Sequence, residues 1–132
     1  EVLDGERIFR AIGCAACHVP ELRTGESPIA PLRDHPAAIY SDLLLHDMGD
    51  ALADGYPEQQ ATGREWRTTP LWGLGLVPRL LGGQEFYLHD GRARTLEEAI
   101  RLHGGESQPS ATRFTELSTA DQKALLAFLR SL

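Results

Sequence analysis

The sequence has no uninterrupted apolar run of about 18 residues, the length a helix needs to cross a membrane. It also lacks the basic, then apolar, then small-residue pattern of a secretory leader. If the natural protein is exported, we expect this chain to be its mature form or an excised part of it. We find neither an internal repeat nor a pair of segments that reads as paired strands.

Basic residues are in the minority, since 13 Lys and Arg face 19 Asp and Glu for a net charge of −6. This balance argues against a nucleic-acid partner, which needs a basic surface. An acidic surface would steer a basic or neutral partner protein towards the chain. The simpler interpretation is that the charge only keeps the protein in solution.

Cysteine is scarce, and both cysteines lie in one motif. Cys14 and Cys17 are separated by two alanines, and His18 follows directly. C-x-x-C-H is the signature of c-type haem attachment, in which the two thiols add to the haem vinyl groups and the histidine binds the iron. The motif predicts one covalent haem c, with His18 as its fifth ligand.

Three competing interpretations of the motif are open. A thioredoxin-like pair would need a βαβ setting, which the sequence does not show. A structural zinc ion would need four ligands, and no second short-spaced pair exists. A chance match is countered by the preceding segment, which carries apolar residues at the i, i+3, i+4 and i+7 spacing of a helix face: Gly5, Ile8, Phe9 and Ile12.

Helical patterns lead us to predict an all-α, cytochrome c-like fold. The first and last helices should cross, with Gly5 and Phe9 facing Phe128, and long irregular loops should surround one haem. Capping boxes start the helix at 96–103 after Thr95 and the last helix after Ser118. We expect one helical turn at 69–73, a surface loop at 104–113, and a single mono-haem domain over residues 1–132.

Met48 is the predicted sixth iron ligand. It is the only methionine and lies 30 residues after His18, far enough for the chain to reach the other haem face. It follows an apolar run, 43–45, that could line a haem pocket. A thioether ligand raises the reduction potential relative to a second imidazole, which suits an electron carrier.

Other assignments for the sixth position stay open. Met48 could simply fill a gap in the core. His46 is the rival on the same segment, and His103, on the inner face of a predicted helix, is next. His35 and His89 lie in polar stretches, which favours structural roles.

The haem propionates need polar partners, and one short segment offers them. Arg64, Trp66 and Arg67 supply two cations and one indole N–H. Such groups suit carboxylates, although a solvated charged loop has the same composition. Trp72 could pack against the porphyrin or within the core.

Four segments together resemble the bacterial di-haem cytochrome c oxidoreductases, a family distantly similar to the di-haem cytochrome c peroxidases. They are CAACH (14–18), YSDLLLHDMG (40–49), EWRTTPLWG (65–73) and LHDGRARTLEEAI (88–100). The resemblance covers nearly the whole chain. It implies a haem c-binding, extracytoplasmic bacterial protein, periplasmic or surface-exposed, with a redox role, and it makes Met48 a natural distal ligand.

The chain departs from that family in one respect, because members carry a second C-x-x-C-H. The resemblance therefore implies the C-terminal haem domain only. We expect electron transfer with His18 and Met48 on the iron, between a redox protein or a fused redox domain and an acceptor. The alternative is the haem domain of a peroxidase-like oxidoreductase, catalytic only with a second haem. A third possibility is a sensor module in which a small gas replaces Met48.

Overall fold

A computed structural model describes all 132 residues. Helix accounts for 42% of the chain and strand for 11%. None of the helices combines the length and the hydrophobicity that a membrane crossing requires. The helices are α1 (Val2–Ala11), α2 (Val77–Leu80), α3 (Leu96–Arg101), α4 (Gln108–Glu116) and α5 (Thr119–Leu129), and the strands are β1 (Leu22–Arg23), β2 (Pro36–Ala37), β3 (Leu45–Asp47) and β4 (Glu65–Arg67).

Helices α1 and α5 pack closely, as the sequence predicts. A Cβ placed on Gly5 would lie 2.1 Å from the Ala124 carbonyl oxygen and 2.6 Å from the Phe128 Cβ. The rings of Phe9 and Phe128 meet edge to face with centroids 5.4 Å apart. Gly5 therefore lets the two backbones approach while the aromatic rings fill the space beside them.

The main hydrophobic core lies around this helix pair. Phe9, Phe114 and Leu125 are almost completely buried in it. Tyr40 extends the aromatic cluster, with its ring 6.1 Å from Phe9 and 5.9 Å from Phe128 between centroids. The core thus reaches from the terminal helices to the segment that precedes β3.

The all-α prediction is wrong, because the chain forms two small antiparallel sheets in a mixed α/β fold. Strand β1 pairs with β2, and β3 pairs with β4 so that His46 lies opposite Trp66. Strands of two or three residues are too short to show the alternation that identifies a strand in a sequence. Their pairing depends on loops that bring distant segments together.

The predicted loop at 104–113 is also wrong, because α4 covers most of it. Ser107 is its N-cap residue, Pro109 lies in its first turn, and Ala111 and Phe114 are buried. Proline is well tolerated at a helix start, where its missing N–H has no partner to lose. The helical turn expected at 69–73 instead begins at Leu74 and leads into α2.

Both predicted capping boxes are confirmed at the N-cap residue. The Ser118 side chain accepts the Asp121 N–H at the start of α5. The Thr95 side chain accepts the Glu98 N–H at the start of α3. Each cap satisfies an amide that the helix itself leaves without a partner.

Candidate haem site

One large cavity runs between the terminal helices and the β3–β4 side of the molecule. Its volume is about 680 Å³, and 20 of its 35 lining residues are hydrophobic. Sites for cofactors and other small molecules typically measure about 300–1,000 Å³ and have mainly apolar walls with a few polar groups. Cys14, Cys17, His18, Met48 and His103 all line this cavity.

The end of α1 delivers the cysteine motif to the cavity. Gly13 follows the helix with a φ of +97°, a left-handed conformation that glycine adopts without strain. A tight 3₁₀ turn, Cys14–Ala16, comes next, and the His18 amide donates to the Cys14 carbonyl oxygen at 2.9 Å. This turn folds the two cysteines and the histidine onto the same wall.

Both thiols are free and partly buried. Burial raises the pKa of the Cys14 thiol to about 11 and also raises the pKa of the Cys17 thiol. A reactive cysteine pair has a lowered pKa, because the thiolate is the nucleophile. The environment therefore argues against a thioredoxin-like pair.

A metal ion held by side chains alone accounts less well for the same residues. Cys17, Asp42 and His46 have ligand atoms within 4.8 Å of one another. A structural zinc site needs four ligands. Both His46 nitrogens are already hydrogen-bonded to carboxylates, Nε2 to Asp42 at 2.8 Å and Nδ1 to Glu106 at 2.9 Å.

His18 is fixed in one orientation by the backbone next to it. Its Nδ1–H donates to the Tyr40 carbonyl oxygen at 3.0 Å, and Nε2 has no hydrogen-bond partner. The Ser41 and Asp42 amides bond to the carbonyls of Val19 and Cys17 at 2.9 and 2.8 Å and hold that strip of chain in place. Burial lowers the pKa of His18 to about 4, so the imidazole is neutral and Nε2 is free to bind a metal.

Met48 and the rival histidines lie around the same cavity. The Met48 sulfur is 3.8 Å from the Ser107 hydroxyl. Glu106 and Asp42 raise the pKa of His46 by accepting its two N–H groups, which leaves no free nitrogen on that ring. The His103 Nδ1–H donates to the Ala99 carbonyl oxygen at 2.7 Å, and its Nε2 has no partner. The apolar run 43–45 is exposed and does not line this cavity.

The three predicted propionate partners differ in whether their N–H groups already have acceptors within the protein. Arg64 pairs with Asp47 at 3.1 Å and with Asp50 at 3.0 Å. The Trp66 indole N–H donates to the Leu52 carbonyl oxygen at 3.1 Å. Arg67 lines the cavity and takes part in no ion pair or side-chain hydrogen bond. Of the three predicted groups, Arg67 therefore has its guanidinium free for a carboxylate.

Two further side chains with predicted roles also have defined places. The His89 ring stacks on Trp66 with centroids 3.5 Å apart and planes 10° apart, and both rings line the cavity. Trp72 also reaches the cavity, but its side chain is largely exposed. A structural role for His89 agrees with this stack.

Arg113 on α4 is a site residue that sequence reasoning missed. It lines the cavity, and its guanidinium donates to the Ile12 carbonyl oxygen at 3.1 Å. This bond ties α4 to the end of α1, just before the cysteine motif. Because we predicted a loop at 104–113, Arg113 had no helix face on which to be placed. The sequence signal for the helix was a start at Ser107-x-Pro109, followed by the apolar residues Ala111 and Phe114.

These residues fit a covalently bound haem. The cavity is large and mainly apolar, two thiols three residues apart lie on its wall, and a neutral histidine beside them keeps one nitrogen without a partner. Thiol and imidazole are the groups that anchor and ligate haem c. A haem-binding redox domain is the class of protein that such a site fits.

The comparison with protein families identifies the family. The chain matches "Di-haem oxidoreductase, putative peroxidase" over residues 1–132. It therefore belongs to the di-haem oxidoreductase family. A search of curated proteins gives no match.

A solved structure supports the fold. A chain of Kuenenia stuttgartiensis hydrazine synthase, solved under 20 bar of xenon, is 22% identical and superposes with a TM-score of 0.53. The match covers 99% of this chain but 46% of the hydrazine synthase chain. The present chain thus spans less than half the length of that structure, and the likeness concerns the fold.

Proposed function

We propose that this chain transfers electrons through one haem c, bound covalently at Cys14 and Cys17 with His18 on the iron. The observation that carries the proposal is the convergence of both thiols and the free Nε2 of His18 on one mainly apolar cavity. Membership of a di-haem oxidoreductase family supports a haem at this place.

Each residue would contribute a distinct part. Cys14 and Cys17 would fix the position of the group by two thioether bonds. The Tyr40 carbonyl orients His18 and selects the tautomer whose Nε2 binds metal, as backbone partners of metal-bound histidines commonly do. Arg67 could donate to a propionate, because no protein carboxylate occupies its guanidinium.

The walls would set the electronic environment. Haem supplies reversible one-electron chemistry when bound, while the protein supplies ligands, burial and charge. Phe9, Leu96 and Leu125 contribute to the apolar wall, and their burial limits water at the site. Fixed ligands on an apolar wall are suited to a change of oxidation state with little structural rearrangement.

A second candidate function is the haem domain of a peroxidase-like oxidoreductase that works only with a second haem. The family description names a peroxidase, and this chain contains one C-x-x-C-H motif. Peroxide turnover needs an iron position that is open or can be opened. We propose electron transfer as the function of this domain because Met48 and His103 both line the cavity, and either side chain would close that position by binding the iron.

The cellular location and the partner of the protein can be proposed from the same chemistry. Haem c is attached outside the cytoplasm, so we propose a periplasmic or otherwise extracytoplasmic location in a bacterium. The partner would be a redox protein or a fused redox domain. The net charge of −6 favours a basic or neutral partner surface.

A redox titration of the purified, haem-loaded chain separates the two functions. Electron transfer predicts fully reversible conversion between the oxidised and reduced spectra, and no faster consumption of hydrogen peroxide than by an unrelated six-coordinate cytochrome c. The matched control is the Arg79→Gln variant, which removes a cation that does not line the cavity and should titrate reversibly too. Rapid peroxide turnover by the isolated chain, with a high-spin oxidised spectrum, would reject electron transfer as its role.

A further inference from the structure

His103 lies at the end of α3, one residue beyond the C-cap Leu102, on the wall of the cavity. Its Nδ1–H donates to the Ala99 carbonyl oxygen at 2.7 Å, which leaves Nε2 without a proton and without a partner. His18 is held in the same way, by the Tyr40 carbonyl at 3.0 Å. Two imidazoles, each with Nδ1–H bonded to a backbone carbonyl and Nε2 unpaired, therefore line one cavity.

The spacing of these two rings is compatible with that of a pair on one ion. The centroids of His18 and His103 are 6.4 Å apart, with the planes inclined by 51°. Because a metal–imidazole bond is about 2 Å long and the ring centre lies about 1 Å further out, two imidazoles on opposite sides of one ion have centroids about 6 Å apart. A backbone carbonyl on the other nitrogen is the usual partner of a metal-bound histidine.

We infer that His103, rather than Met48, is the sixth ligand of the iron. The inference rests on the proposed haem at Cys14 and Cys17, and it replaces the thioether of the sequence prediction by a second imidazole.

Met48 lies beside His103 rather than in its place. A Cβ on Gly104 would be 2.8 Å from the Met48 carbonyl oxygen, so glycine allows the Met48 backbone to pack directly against the residue after His103. The Met48 amide is held by the Arg64 carbonyl at 2.9 Å, and its sulfur faces the Ser107 hydroxyl. Met48 thereby supports the end of α3 that carries His103.

His46 is excluded by its own contacts. Its two nitrogens are 2.8 Å from an Asp42 oxygen and 2.9 Å from a Glu106 oxygen, and both carboxylates can only accept. A ring that donates from both nitrogens has no lone pair for iron. Among the histidines apart from His18, His103 combines a place on the cavity wall, a free Nε2 and the required spacing to His18.

Two imidazoles would give the iron properties that differ from those of an imidazole–thioether pair. Replacement of a thioether by an imidazole lowers the reduction potential. Both axial positions would be closed by side chains anchored to the backbone, which disfavours binding of peroxide. The inference therefore strengthens the case for an electron-transfer haem.

Spectroscopy of the oxidised, haem-loaded protein tests the inference. We expect a low-spin spectrum without the weak long-wavelength band of methionine-bound haem, and the same spectrum in Met48→Leu. In His103→Gly we expect the high-spin form to predominate, and added imidazole to restore the low-spin form. His103→Met should raise the reduction potential.

The opposite pattern would overturn the inference. A methionine band in the wild type that disappears in Met48→Leu would assign the ligand to Met48, and a high-spin wild type would leave the sixth position open. The wild-type and Met48→Leu spectra decide the matter even if the His103 variants fail to fold. Covalent haem content is measured first, so a protein without attached haem would reject the proposed function and not merely this ligand.

Discussion

The two sides of the molecule are built differently. On the side of α1 and α5, helices of ten and eleven residues pack through a glycine contact and edge-to-face aromatic rings. On the side of β3 and β4, strands of three residues and long connections surround the cavity. The first side is held mainly by contacts between protein groups, although Phe9 and Leu125 also border the cavity. A two-stranded pair the size of β3–β4, in contrast, is marginal without further support. From this comparison we expect the helix pair to form the more stable base, and the opposite wall to depend more on the group that fills the cavity.

The largest effect should come from Gly5→Ala, which attacks the helix contact. Alanine in a helix normally stabilises it relative to glycine by about 0.5–1 kcal/mol. Here its Cβ would lie 2.1 Å from a backbone oxygen, so we expect a loss of about 3 kcal/mol in the free energy of unfolding from overpacking. Denaturant unfolding of the wild type and the variant measures this difference in the free energy of unfolding.

Gly25→Ala is the matched control for that change. A Cβ on Gly25 meets nothing within 4 Å, and we expect its free energy of unfolding to stay within about 0.5 kcal/mol of the wild type. Equal effects at the two positions would show that the helix pair is not the tight contact described.

Removal of the haem attachment should affect the two sides unequally. In Cys14→Ser/Cys17→Ser we expect the amides of β3 and β4 to exchange at least about tenfold faster than in the haem-loaded protein, a loss of about 1.4 kcal/mol in local opening. Amides in the middle of α1 and α5 should change less, because their packing is between protein groups. Hydrogen exchange resolved by residue is the measurement, and uniform deprotection would remove the distinction between the two sides.

The caps of α5 and α3 should matter about equally. Ser118→Ala and Thr95→Ala each remove a side-chain acceptor from an amide at the start of a helix, α5 and α3 respectively. We expect about 1 kcal/mol of destabilisation from each, measured by thermal or denaturant unfolding. Thr119→Ala is the control, since its hydroxyl makes no hydrogen bond, and a loss as large as that of Ser118→Ala would count against the capping role.

The effect that is smallest near neutral pH is a pH dependence at Tyr87, a core residue that also borders the cavity. Burial raises its pKa from 10.0 to about 12. The unfolded chain therefore loses this proton first, and stability should fall as pH rises from 10 to 12, by no more than about 1.4 kcal/mol per pH unit. Tyr87→Phe should flatten this part of the stability–pH curve, and identical curves for both proteins would refute the assignment.

The helical base was predictable because its signals are local. Gly5, Ile8 and Phe9 share a helical face, and Ser118 caps an apolar stripe, so sequence spacing alone indicates α1 and α5. The cysteine motif is likewise contiguous. These patterns need no knowledge of distant residues.

The cavity wall was harder to predict because it is made of distant contacts. The pairing of His46 with Trp66, the ion pairs of Arg64 and the bond from Arg113 to Ile12 join residues that are far apart in sequence. Strands of two or three residues are too short to show an alternation of apolar and polar residues. Helix α4 was missed because it is a polar segment that follows two glycines. The proximity of His18 and His103 also depends on this folding and has no signature in the sequence.

The most direct test of the account is the intact mass of the purified protein, matured in a host that attaches haem c. We expect the mass of the polypeptide plus one haem, red colour that stays with the protein through acid–acetone extraction, and loss of both in Cys14→Ser/Cys17→Ser. A colourless protein with two free thiols, or one that holds zinc in place of haem, would contradict it.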